Sequence, residues 1–148
     1  MKVSAAIFFI FIVFAIFAPK EAMPMDLTQF QWKNRLLFLF APDRKNPPFK
    51  DLQTEIIAQK TEVQDRDLVV FEVLERDPSR MNTAPIDPEG ADALRDRFRV
   101  PPNTFSLILV GKDGGIKLKR HEKGNLREIF DLIDSMPMRQ NEMRQKNQ

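Results

Sequence analysis

Asp43, Arg44 and Lys45 stand where an apolar run, residues 36–41, gives way through Pro42 to a proline-marked turn and then a helical pattern. A strand-to-helix junction presents the amide end of a helix, which attracts a carboxylate or a phosphate. Arg44 and Lys45 there either bind such an anion or are solvated loop charges. Trp32 and Arg35 flank the start of the same run, with Trp32 either stacking on a ligand or covering one end of a sheet. Far along the chain, Met136-Pro137-Met138-Arg139 sets two adaptable thioethers and a cation around a proline. That grouping suits a versatile binding surface, or else the filling of core gaps. Trp32, Arg35, Asp43, Arg44, Lys45, Met136, Met138 and Arg139 are therefore the candidate binding residues.

No residue is a candidate catalyst or metal ligand, and no cofactor is expected. The 148 residues include 0 cysteines and 1 histidine. That excludes disulfides, thiol nucleophiles, iron–sulfur clusters and cysteine-based zinc sites. His121 has no obvious partner, because Ser106 lacks the flanking glycines of a nucleophile elbow. Gly111-Lys112-Asp113-Gly114-Gly115 lacks the upstream glycine of a phosphate loop and leads into a strand pattern. It reads as a tight hairpin turn. Asp87, Glu89 and Asp92 lack the spacing of a calcium loop, and helix capping accounts for them. The 23 basic and 21 acidic residues leave a formal charge of +2, so no nucleic-acid partner is expected despite a pI near 9.0.

The elements that position these residues follow from the hydrophobic pattern. Residues 36–41 and 67–74 are short, nearly continuous apolar runs, which suit strands buried on both faces. Between them, Phe49, Leu52, Ile56, Ile57 and Val63 define one helical face. Residues 77–88 carry three prolines and read as a surface excursion. Asp87-Pro88 starts a second helix bearing Ala91, Leu94 and Phe98. Residues 104–111 and 116–120 form a hairpin whose second strand alternates, as an exposed edge does. Asn125 caps a last helix carrying Leu126, Ile129, Phe130 and Ile133, and Pro137 ends it. The order β-α-β-α-β-β-α predicts a thioredoxin-like α/β fold, a mixed sheet with helices on both faces.

Residues 1–22 read as a signal peptide, with a positive start and then an apolar run holding five of the chain's 13 phenylalanines. The 15-residue run spans about 23 Å as a helix, short of a bilayer core of about 30 Å. The protein is therefore expected to be exported, periplasmic or secreted. A membrane anchor through an uncleaved N-terminal segment is the alternative. Residues 23–139 are expected to form the domain, and residues 140–148 a polar C-terminal tail.

Four segments, taken in order, resemble one family. They are residues 32–42, residues 65–69, residues 109–115, and residues 133–139 with Glu142-Met143-Arg144. The family is a domain of unknown function in small exported bacterial proteins. The same domain resembles one in the animal extracellular proteins equarin and the sushi-repeat-containing proteins. The resemblance implies a thioredoxin-like fold related to peroxiredoxins, and no established activity. Redox members of that fold carry a reactive cysteine in the loop after the first central strand, where this chain has residues 41–49 and no thiol. They also hold a cis-proline facing that loop, and Pro101 and Pro102 lie near its place.

A fold whose usual chemical loop has no reactive residue points to a binding or interaction module. Its partner would be a protein or other extracytoplasmic macromolecule, met at residues 42–49 or at residues 136–144. The alternative is an enzyme with non-thiol chemistry on a small anionic ligand. That reading requires Arg35, Asp43 and Arg44 to converge in one concave pocket.

Overall fold

The computed structural model describes residues 25–148. The N-terminal segment read as an export signal lies outside the described residues. No helix among them is long and apolar enough to cross a membrane.

A short 3-10 turn, Thr28–Phe30, precedes β1 (Arg35–Ala41), α1 (Pro47–Ala58), α2 (Lys60–Asp65) and β2 (Leu68–Leu74). Next come β3 (Ser79–Met81), β4 (Ala84–Ile86), α3 (Pro88–Phe98), β5 (Ser106–Val110) and β6 (Ile116–Arg120). The chain closes with α4 (Leu126–Asp134) and α5 (Pro137–Lys146). The six strands form one sheet in the order β4-β3-β2-β1-β5-β6. β1 and β2 are parallel, and every other neighbouring pair is antiparallel.

β1 is buried at all seven positions because it lies at the centre with a core on each face. Leu37, Leu39 and Ala41 pack with Phe49, Leu52, Ile129 and Ile133, under α1 and α4. Leu36, Phe38 and Phe40 face the other way, onto Ala91, Leu94 and Phe98 of α3. The period-two alternation of a strand divides one apolar run between two cores.

The expected element order holds, with three differences. The helical pattern over residues 49–63 is two helices, because Gln59 leaves the helical region at φ −114°. Adjacent Ile56 and Ile57 cannot both face inward, and Ile57 is exposed. The excursion at residues 77–88 contains the β3–β4 hairpin. Its three-residue strands are too short to show a pattern, and Pro85 is tolerated because β4 is an edge. The largest difference concerns the C-terminal residues expected to be a polar tail. Pro137 ends α4 but also starts α5, which continues to Lys146.

Candidate functional site

The two ends of β1 are built differently. The C-terminal end, where redox members of this fold keep their thiol, is cross-tied. Asp43 accepts from Arg76 at 2.7 Å, and that hydrogen bond holds its carboxyl below the usual carboxylate range. Arg44 donates to the Pro78 carbonyl at 2.7 Å and pairs with Glu72 at 3.4 Å. Arg80 and Gln53 also donate to Glu72, so this buried acid is saturated. Arg95 runs beneath the strand ends, donating to the carbonyls of Ala41 and Val73 and to Glu75. Burial pulls its pKa down more than Glu75 raises it.

The amide end of α1 is closed as well. Pro47 and Pro48 have no N–H, and the Phe49 amide donates to the Asn46 side chain at 3.3 Å. The first turn therefore has no free donor for an anion. Nearby, Ser106 Oγ and His121 Nδ1 are 2.8 Å apart, a partner the sequence did not suggest for the histidine. Ser106 is fully buried and His121 has no carboxylate partner among the described residues, so the pair lacks the access and the acid of a catalytic triad. The described peptide bonds are all trans, including those at Pro101 and Pro102.

The N-terminal end of β1 gathers charge from distant parts of the chain. Arg35 is 1% exposed. Its guanidinium donates to the Arg66 carbonyl at 3.0 Å and, through both terminal nitrogens, to Glu142 of α5 at 3.2 Å each. Lys112 of the β5–β6 turn reaches the same carboxylate at 2.7 Å and Asp67 at 2.8 Å. A second set lies alongside. Arg66 donates to Asp134 at 2.6 Å and lies over the Phe130 ring, 4.2 Å from its centroid. Arg139, itself buried, donates to Asp134 at 3.1 Å, to the Asp65 carbonyl at 2.8 Å and to the Asp65 carboxylate. Hydrogen bonds from Lys146 and Arg139 lower the Asp65 pKa to about 2. Burial pushes the Glu142 carboxyl up, but the hydrogen bonds and charges of Arg35 and Lys112 outweigh it and hold the group below its ordinary value.

A cleft of about 280 Å³ opens over this network, with Arg35, Gly111 and Lys112 beside Met136, Pro137 and Met138. A neighbouring hollow of about 340 Å³ shares Gly111 and Asp113 with it and is lined by Phe30, Leu36 and Ile116. The Trp32 amide donates to the Lys112 carbonyl at 2.6 Å, which fixes the tryptophan backbone beside the cleft. Trp32 sits at φ 65°, a left-handed conformation rare for so large a residue, and it is 64% exposed. It does not cover the sheet end.

The candidate residues thus divide. Trp32, Arg35, Met136, Met138 and Arg139 come together at the N-terminal end of β1. Asp43, Arg44 and Lys45 lie past its C-terminal end, seven residues away along an extended strand. Arg35 does not share a pocket with Asp43 or Arg44, so the non-thiol enzyme reading loses the convergence it needs. Lys112 and Glu142 were missed as site residues. One read as turn geometry and the other as tail, although both lie in segments that carried the family resemblance.

Comparisons with known proteins agree with this fold. A family described as a domain of unknown function, DUF4174, matches residues 26–142. Coiled-coil domain-containing protein 80 of Danio rerio is 29% identical over 84% of this chain and 17% of its own length. Sushi repeat-containing protein SRPX of Rattus norvegicus is 32% identical over 79% of this chain and 26% of its own length. The chain therefore spans about a quarter or less of these relatives. Among solved structures, the reduced 2-Cys peroxiredoxin of Plasmodium vivax superposes with a TM-score of 0.59 at 14% identity, covering 78% of this chain and 84% of that one. The mitochondrial 2-Cys peroxiredoxin of Plasmodium falciparum gives 0.52 at 15%, covering 74% and 79%. The fold is thioredoxin-like, and the chain has no cysteine with which to run thiol chemistry.

Proposed function

The chain belongs to the DUF4174 family, a domain of unknown function, and we propose that it acts as a protein-binding module, with its docking surface at the N-terminal end of β1. One observation carries this reading. Among the described residues four large apolar side chains are exposed, and three of them, Trp32, Ile116 and Met138, surround the β5–β6 turn. Met138 lines the Arg35–Lys112 cleft, Ile116 lines the adjoining hollow, and Trp32 is bonded through its amide to Lys112. Exposed apolar groups gathered around a polar cleft mark interaction surfaces. Holding a tryptophan in a left-handed backbone costs about 1–2 kcal/mol, a strain that functional positions tolerate.

The opposite end of β1 supports the same placement. Its Asp43 and Arg44 are spent on Arg76, Glu72 and the Pro78 carbonyl, and its helix terminus offers no free amide. We also place the protein outside the cytoplasm, because the N-terminal run has the pattern of an export signal. A membrane anchor through the same run is the alternative location.

Affinity capture from an extracytoplasmic extract of the source cells tests the assignment. Trp32→Ala and Met138→Ala should each lose a partner that the parent chain retains, and Lys45→Ala should retain it. Loss with Lys45→Ala alone would move the surface to the other end of the sheet.

A further inference from the structure

The Glu142 carboxylate occupies a site made by side chains from elsewhere in the chain. Arg35 grips it with two parallel hydrogen bonds of 3.2 Å, and Lys112 adds a third at 2.7 Å. Arg35 and Lys112 are both at least nine-tenths buried, and both line the open cleft beside Met136 and Met138. A paired guanidinium and ammonium in this geometry form a carboxylate receptor. The Arg35 Nε remains buried without a hydrogen-bond partner, so the guanidinium has donor capacity that Glu142 does not use.

The element bearing Glu142 is weakly held by apolar contact. Of the ten residues of α5, the only buried one is Arg139. Its remaining ties are charged, from Arg139 and Lys146 to Asp65 and from Arg139 to Asp134. A ten-residue helix is marginal in water without tertiary support. It persists while its ion pairs hold, and those are interactions that an external carboxylate competes for directly.

We propose that Glu142 is an internal stand-in for a partner's acidic side chain, and that an acidic segment flanked by apolar residues displaces it from Arg35 and Lys112. This rests on the reading that the N-terminal end of β1 is the docking surface, and it assigns the chemistry of the docked segment. The partner's carboxylate takes the Arg35–Lys112 site while its apolar residues lie against Met136, Met138 and Trp32. Glu142 swings out, and α5 loosens from that residue onward. Charge complementarity selects the partner, since among the described residues Glu142 is the one anion Arg35 and Lys112 share, and its departure leaves Lys112 with Asp67 and Arg35 with no anion.

The test uses a fluorescein-labelled hexapeptide alternating leucine and glutamate, with a leucine–glutamine version as control. Anisotropy of the labelled peptide is read as the full chain is added. Glu142→Gln should bind the acidic peptide at least tenfold more tightly than the parent chain, and Lys112→Met added to it should abolish the gain. The control peptide should bind neither. In the parent chain, saturating acidic peptide should speed amide exchange at residues 142–146, a readout that does not depend on the variants folding. Equal binding by parent and Glu142→Gln, a gain that survives Lys112→Met, or binding that leaves α5 exchange unchanged would each overturn displacement. Equal binding that is lost with Trp32→Ala and Met138→Ala would overturn displacement while leaving the docking surface in place. Absence of binding in both chains would overturn the carboxylate site.

Discussion

Glu142 reaches across 107 positions of sequence to receive two hydrogen bonds from Arg35, both 3.2 Å. The contact ties the C-terminal helix to the first residue of the central strand. It is made between a fully buried cation and a largely buried anion, so removing Glu142 strands Arg35 in a poorly solvated place, whereas removing Arg35 leaves Glu142 with Lys112 alone.

Arg35→Met should therefore destabilise the domain by about 2–4 kcal/mol, below the roughly 3–5 kcal/mol for breaking a fully buried pair one-sidedly, because Lys112 still holds Glu142. The double variant Arg35→Met with Glu142→Leu should cost at least about 1 kcal/mol less than the sum of the two single changes. Urea unfolding followed by the fluorescence of Trp32, the chain's 1 tryptophan, measures all three.

Docking of α5 should fail in acid before the sheet does. Asp65, with an ordinary value of 3.8, is held at about 2 by Lys146 and Arg139. Glu142, with an ordinary value of 4.5, is also lowered, against its burial, by Arg35 and Lys112. Folded values below unfolded ones mean that the stabilisation is complete above the ordinary range and lost as pH falls through the folded values. Amide resonances of residues 137–146 should move toward coil positions between about pH 4 and pH 2, while those of β1 and β2 hold.

Trp32→Gly should leave stability within about 1 kcal/mol, because relief of the left-handed strain offsets the added freedom of the unfolded chain. Partner capture should be lost nonetheless. Thermal unfolding paired with capture separates the two roles.

Gly114 occupies φ 83° in the β5–β6 turn, where its amide donates to the Gly111 carbonyl. Gly114→Ala should cost about 1 kcal/mol, since only glycine adopts that conformation freely. Calorimetry should show a lowered Tm with the fold intact.

The central strands were legible because burial on both faces leaves a continuous apolar run, as in residues 36–41. The β5–β6 turn was legible from its glycines. Helix α5 was not, because it has no apolar stripe to read. Arg139, Glu142 and Lys146 have helical spacing, but their partners Asp65, Asp134, Arg35 and Lys112 lie in other elements, and no local pattern announces them. The Ser106–His121 pair was hidden by a bulge. A regular ladder from Val110 opposite Ile116 would set Ser106 across from Arg120. The register shift at Leu109/Val110 moves every later pair by one, so that Leu107 faces Arg120 and the next pair outward is Ser106 with His121. Of the candidate site, the residue types were legible at Trp32, Arg35 and Met138. Their meeting at one end of the sheet was not, since it depends on where α5 returns.

The central claim is that partners meet the N-terminal end of β1 and not the loop at its C-terminal end. The direct measurement is site-specific photocrosslinking of the chain in its source cells, with the crosslinker placed at Met138 or at Lys45. Adducts from position 138 and none from position 45 are the predicted result. Adducts from position 45 alone would contradict the assignment.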